Sequence, residues 1–237
     1  AGGATLLTLA AGQFLMTLDS SVMNVSIATV AKDVGTTVTG IQGAITAYTL
    51  VMAALMITGA KVGAMIGRKR AFAIGCVIYG CGSLVTALSQ NLTMLLIGWS
   101  LLEGIGAALI MPAVVALIAS NFGRADRPRA YGLVASAGAI AVAAGPLIGG
   151  LFTTYASWRW VFVGEVLVVL ILLVLARRMD ETPGDKDARA DGMPAIQLGN
   201  HAPGHRLQNG QAAGAGQAGA HGISLPGSRS SRVRRAT

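Results

Sequence analysis

Residues 138–150 read GAIAVAAGPLIGG. Small residues recur at Ala137, Ala141, Gly145 and Gly149, and residues four apart share one face of a helix. A face this small lets a second backbone come very close, which is how helices associate where water cannot drive them together. Pro146 removes a backbone donor and obstructs the preceding turn, so a bend is expected there. The run therefore reads as a buried helix in a membrane bundle, with surfaces that pack tightly and can also slide or rock.

Working outward, about 20 apolar residues span a bilayer as a helix. Six segments reach that length, at approximately 5–30, 41–62, 71–89, 92–121, 130–155 and 159–176. The composition agrees. Of 237 residues, 53% are hydrophobic and only 12% charged, where a soluble domain carries about a quarter charged. The mean hydropathy is +0.62. The net charge of +8 divides evenly between the body and the short tail after residue 176, so it does not call for nucleic acid. Cys76 and Cys81 lie five apart in one segment, where they read as small packing residues and not as a bridge. The N-terminus has no basic start, so no cleaved leader is expected, and the first residue, Ala1, suggests a trimmed or incomplete chain.

The linkers set an expected orientation. Lys61, Arg68, Lys69, Arg70, Arg124, Arg127, Arg129, Arg177 and Arg178 fall on one set of alternate ends, against Lys32 and Arg159 on the other. The positive-inside tendency then puts both ends of the bundle in the cytoplasm of a multi-pass inner-membrane protein. Trp158 and Trp160 are expected at the outer interface.

The same residues carry a resemblance. Gly138, Gly145, Pro146, Gly149 and Gly150 resemble the antiporter signature in the fifth helix of the major facilitator superfamily. The first segment holds LDSSVMNVSIATV, which is similar to the LDxTxVNVALP pattern of that family's fourteen-helix drug/proton antiporter branch at Leu18, Asp19, Val22, Asn24 and Val25. The loop GAKVGAMIGRKRAF (residues 59–72) resembles the family's GxLaDRxGRKx signature at Gly67, Arg68, Lys69 and Arg70. It departs at Ala60, Ala64 and Met65. Ala64 replaces the family's aspartate, thought to tie this loop to a neighbouring helix. Gly59, Gly63 and Gly67 read as a further close-packing stripe. For Arg68–Arg70 two readings stand, a gating contact or simple retention of the loop on the basic side. In the fourth segment Ser100 stands where the family often has an arginine before Gly104, while LLEGIGAALIMPA still resembles the branch. Gly104 and Ala108 form a close-contact pair there, and Pro112 is expected to kink the helix. SWRWVFVGEVLVV resembles the WRWxF opening of the sixth helix.

The resemblance implies an all-α membrane fold of six helices in two three-helix repeats, the N-terminal half of a proton-coupled exporter of drugs or small molecules. Asp19, Asn24, Glu103 and Glu165 are the candidates for a proton or substrate pathway. An ionisable group inside an apolar helix is costly unless it meets a partner or water. Asp19 could bind a proton or hold the helix by hydrogen bonds. Glu103 could replace the missing arginine's role or pair with a polar neighbour. Glu165, near the outer end, is expected at a hydrated rim, and the third segment, which lacks charge, as peripheral packing. No paired-carboxylate, Ser/His or metal-ligand arrangement is apparent in the body, and no Gly-rich phosphate loop, so neither an enzyme nor a cofactor is expected.

The division expected is 1–179 as the bundle and 180–237 as a polar cytoplasmic tail, with no aromatic residue and no periodicity, hence disordered. One six-helix half has no second wall for a substrate path. Two accounts stand: an exporter half completed by another chain or by self-association, or a truncated module that packs without transporting. A small-residue seam exposed to lipid is the expectation in either case.

Overall fold

Short connections decide where the apolar run is cut. In the computed structural model, which describes residues 2–179, helix α1 spans Gly2–Asp33 and turns through Gly35, whose φ of 67° suits glycine. The Thr37 side chain accepts from the Gly40 amide at 3.1 Å and opens α2, Val38–Ile66, as an N-cap should. Gly67, at φ 102°, ends α2 and begins α3, Arg68–Ala87. Asn91 accepts from the Met94 amide at 2.9 Å and opens α4, Leu92–Asn121. A proline in the first turn starts α5, Arg127–Tyr155, and α6 spans Arg159–Arg177. All six helices are long and apolar enough to cross a membrane. They coincide with the six segments read from the sequence, so the described residues are all-α and the chain is a multi-pass membrane protein. The tail expected over 180–237 lies outside the described residues.

The packing repeats. Helix α1 lies on α5, α2 on α4, α3 on α4, α3 on α6, and α1 on α6. Exchanging α1 with α4, α2 with α5 and α3 with α6 turns four of these pairs into one another and α3–α6 into itself. That is the pattern of two three-helix repeats about a pseudo-two-fold axis.

Small residues make the crossings. Gly138 faces Gln13 and Thr17 of α1, Gly145 faces Ser21, and Gly149 faces Val22 and Ser26. Both sets of numbers rise together, so α1 and α5 run parallel. Gln13, Thr17 and Ser21 lie four apart on α1, a polar stripe on the glycine seam. The seam is therefore covered by the chain's own first helix and is not exposed to lipid, contrary to the expectation from sequence. Its buried members are Gly138, Ala141, Gly145 and Gly149, with Ala137 only half-buried. Gly150 faces nothing within 4 Å.

Helix α5 runs unbroken through Pro146. The proline has no N–H for the Val142 carbonyl four residues earlier, and the Ser21 hydroxyl donates to that carbonyl instead, at 3.2 Å. The α2–α4 crossing has a related arrangement. Gly59 lies against the Ala108 carbonyl, which Pro112, four residues on within α4, leaves without its usual helical donor. Gly63 packs on Ala71, but Gly67 is the break between helices and not a member of that stripe.

Helix α3 is not peripheral. A Cβ on Gly82 would fall 2.8 Å from the Gly98 carbonyl oxygen, and one on Gly106 would fall 2.8 Å from the Tyr79 amide nitrogen. Backbones this close leave no room for larger residues, and α3 and α4 run antiparallel along this contact.

Alternate links gather at opposite ends. At one end Arg68 Nη1 reaches the Ala116 carbonyl at 3.5 Å and Lys69 Nζ donates to the carbonyls of Arg177 and Met179. The Lys69 ammonium there complements the carbonyl end of α6. At the other end Asp33 pairs with Arg159 at 3.2 Å and accepts from Trp158 Nε1 at 3.0 Å. Arg159 Nη2 donates to the Ser89 carbonyl at 2.7 Å. Trp158 is fully buried in this clasp and Trp160 alone of the two is exposed, so only Trp160 fits the aromatic-belt expectation.

Candidate functional site

Three helices deliver one carboxyl group each to the same buried point. Asp19 comes from α1, Glu103 from α4 and Glu165 from α6. Their carboxylate oxygens lie within 4.8 Å of one another, and the three residues are 0%, 0% and 2% exposed.

Local structure explains the convergence. Residues Leu96–Glu103 of α4 form a π-helical stretch, a rare widening of the turn that is common at functional sites. It places Gly98, Trp99, Ser100 and Glu103 all inside. Gly82 of α3 admits Glu103, since a Cβ there would fall 2.6 Å from Glu103 Cγ. Glu165 lies six residues beyond Arg159, about 9 Å of helix below the Arg159 clasp, and α6 is covered on that face by α3 and α1. The expected hydrated rim position for Glu165 is thereby corrected: packing seals it.

The partners are polar and uncharged. Trp99 Nε1 donates to both oxygens of Asp19, at 2.9 and 3.0 Å, and the Trp99 ring stacks on Tyr48 of α2 at 5.0 Å between centroids. Thr86 Oγ1 lies 3.2 Å from Glu103 Oε1 and 2.8 Å from the Gly82 carbonyl. Ser83 Oγ lies 3.1 Å from Glu165 Oε2 and 3.2 Å from the Tyr79 carbonyl. Asp19 also faces the Tyr79 hydroxyl and the Glu103 carboxyl. Glu103 Oε2, Glu165 Oε1 and the Tyr79 hydroxyl make no other hydrogen bond among the described residues. Among those residues the ion pair formed is that of Asp33 with Arg159, so no cation neutralises the cluster. Ser100, in the place of the family's arginine, donates to the Ala44 carbonyl of α2 at 2.8 Å and brings no charge.

Two charges at this separation repel by about 3–4 kcal/mol at an effective dielectric near 20. Three oxygen donors this close are equipped to share protons or to hold a hard cation. The sequence reading that no paired-carboxylate arrangement exists is overturned, because residues far apart in the chain meet only in the fold. Asn24 does not join them. It is exposed, and its side-chain amide donates to the Ser20 carbonyl at 2.7 Å. Tyr79, Ser83 and Thr86 went unrecognised in a charge-free segment, although their i, i+4, i+7 spacing marks one polar helical face. Of the loop residues, Arg68 reaches the Ala116 carbonyl of α4, Lys69 caps the end of α6, Gly67 makes the break, and Arg70 is exposed. Arg68 thus supplies a tie to α4 that Ala64 cannot.

Comparison with known proteins agrees with this architecture. The sequence profile of the Major Facilitator Superfamily matches residues 9–219, and the chain belongs to that superfamily. The puromycin resistance protein pur8 of Streptomyces alboniger is 35% identical over 195 residues, covering 82% of this chain and 39% of that protein. The methylenomycin A resistance protein of Bacillus subtilis is 32% identical, covering 77% and 40%. The riboflavin transporter RibZ of Clostridioides difficile is 27% identical, covering 81% and 42%. The chain thus spans about two fifths of the length of these relatives. Among solved structures, the peptide transporter POT in complex with sulfate superposes with a TM-score of 0.65 at 16% identity, covering 79% of this chain and 42% of that one. The inward-open xylose transporter XylE of E. coli gives 0.63 at 17%, covering 82% and 52%. The structural likeness is one of fold.

Proposed function

We propose that the chain is one six-helix half of a proton-coupled exporter of drug-like small molecules, with Asp19, Glu103 and Glu165 as its proton-handling group. The observation that carries the reading is the convergence of three buried carboxyls within 4.8 Å without a basic partner among the described residues. Hydrogen-bond inventory supports it. A hydroxyl has one proton to give, yet Ser83 and Thr86 each have a helix carbonyl and a carboxyl oxygen in reach. If each hydroxyl bonds its own helix, as serine and threonine do in membrane helices, the carboxyl must be the donor and so must carry a proton. The resistance proteins among the relatives support a drug-like substrate.

In this reading residues 1–179 form the bundle, 180–237 form a polar tail, and both ends face the cytoplasm of the inner membrane. Asn24, Val25 and Leu147, exposed on α1 and α5, face the substrate path, closed by a second half from another chain or by self-association. The Gly138–Gly150 seam lets α1 and α5 rock.

Proteoliposomes holding the chain, with an imposed acid interior, test it. Uptake of a cationic dye that collapses with the gradient, and falls more than tenfold in E103Q, is expected. Dye movement indifferent to the gradient, with the protein correctly inserted, refutes the function. Infrared spectroscopy tests the protons separately: a protonated-carboxyl stretch at neutral pH should disappear in E103Q/E165Q.

A further inference from the structure

We propose that a groove between α3 and α6 binds one anionic phospholipid, its phosphate at Arg70 and Arg177 and one acyl chain along the apolar wall. The groove encloses about 540 Å³. Lys69, Arg70 and Arg177 stand at one end, and Ile74, Val77 and Leu173 line the length. From Lys69 to Ile78, the limits of the α3 wall, the helix rises about 13 Å. That is close to the depth of one leaflet of a hydrocarbon core about 30 Å thick.

Charge placement selects the occupant. Arg70 and Arg177 are exposed, and neither guanidinium makes an ion pair among the described residues. Lys69 is engaged with the carbonyl end of α6 and adds its charge without being free to move. Basic pockets between membrane helices at a basic end are the usual seats of anionic headgroups. The rest of the groove is apolar and opens sideways, where Ile74 and Val77 are 44% and 49% exposed. A soluble anion gains nothing from such walls. A phospholipid meets both demands at once.

The test uses the purified chain in mixed micelles containing equal phosphatidylglycerol and phosphatidylcholine, with native mass spectrometry reading the retained lipid. Wild type is expected to retain phosphatidylglycerol several-fold over phosphatidylcholine, and R70Q/R177Q to retain the two alike. R124Q/R129Q removes the same charge from exposed positions at the same end and should leave the preference intact. Phosphatidylglycerol should also raise the unfolding temperature of wild type but not of R70Q/R177Q, the two proteins unfolding together in phosphatidylcholine alone. Equal retention of both lipids by wild type overturns the proposal, as does equal loss in the two double variants. Complete displacement of the lipid by excess inorganic phosphate would also overturn it, since the walls would then contribute nothing.

Discussion

Both oxygens of Asp19 accept from one indole. The single N–H of Trp99 divides itself between both carboxylate oxygens, and the ring is held by Tyr48. Substituting phenylalanine keeps the stacking and removes the donor. Leaving a buried acceptor unpaired costs about 1–3 kcal/mol, so W99F should lower the unfolding midpoint in detergent by a corresponding amount. The loss in W99F/D19N should fall short of the sum of the two single changes, because the residues share one interaction. Ser21 offers a second case. Its bond to the Val142 carbonyl exists because Pro146 cannot make the helical one. S21A should therefore cost on the order of 1 kcal/mol in the wild-type background and close to nothing in P146A, where the restored backbone amide serves Val142. Equal costs in the two backgrounds would show that the serine acts by packing alone.

Helices α3 and α4 approach so closely because glycine stands at each contact. A methyl group on Gly82 would meet both Glu103 Cγ and the Gly98 carbonyl, neither of which is the tip of a flexible side chain. G82A should force the pair apart, with a cost of about 1–3 kcal/mol, and should displace Glu103 and reduce gradient-driven dye flux. G123A, whose added methyl meets nothing within 4 Å, should leave both unchanged. The helices themselves were legible in the sequence because apolar length and its interruptions are local properties. The glycine seam of α5 was legible for the same reason, but its partner was not, since nothing in the spacing of Gly138, Gly145 and Gly149 says that α1 covers them. Glu165 was misplaced because its depth depends on α3 and α1 lying over α6. The stripe of Tyr79, Ser83 and Thr86 was visible as a pattern and passed over for want of a charge. The π-helical stretch from Leu96 to Glu103 leaves no mark in composition at all.

The six-helix bundle has two unlike ends, one clasped by Asp33, Ser89, Trp158 and Arg159, the other tied by Arg68 to the Ala116 carbonyl of α4 and by Lys69 to the carbonyl terminus of α6. With the native cysteines replaced, a membrane-impermeant thiol reagent should label cysteines placed at Arg124 and Arg178 from one side and a cysteine at Gln90 only from the other. Labelling of Arg124 and Gln90 positions from the same side would refute the six-crossing arrangement. The acidic cluster, from the Trp99 indole on Asp19 to the Gly82 that admits Glu103, is furnished by this one chain. On the proposed function, a chimera that joins these helices to the remainder of a relative should keep its driving ion whatever cargo the two halves together admit, so that fuel and freight would be inherited separately.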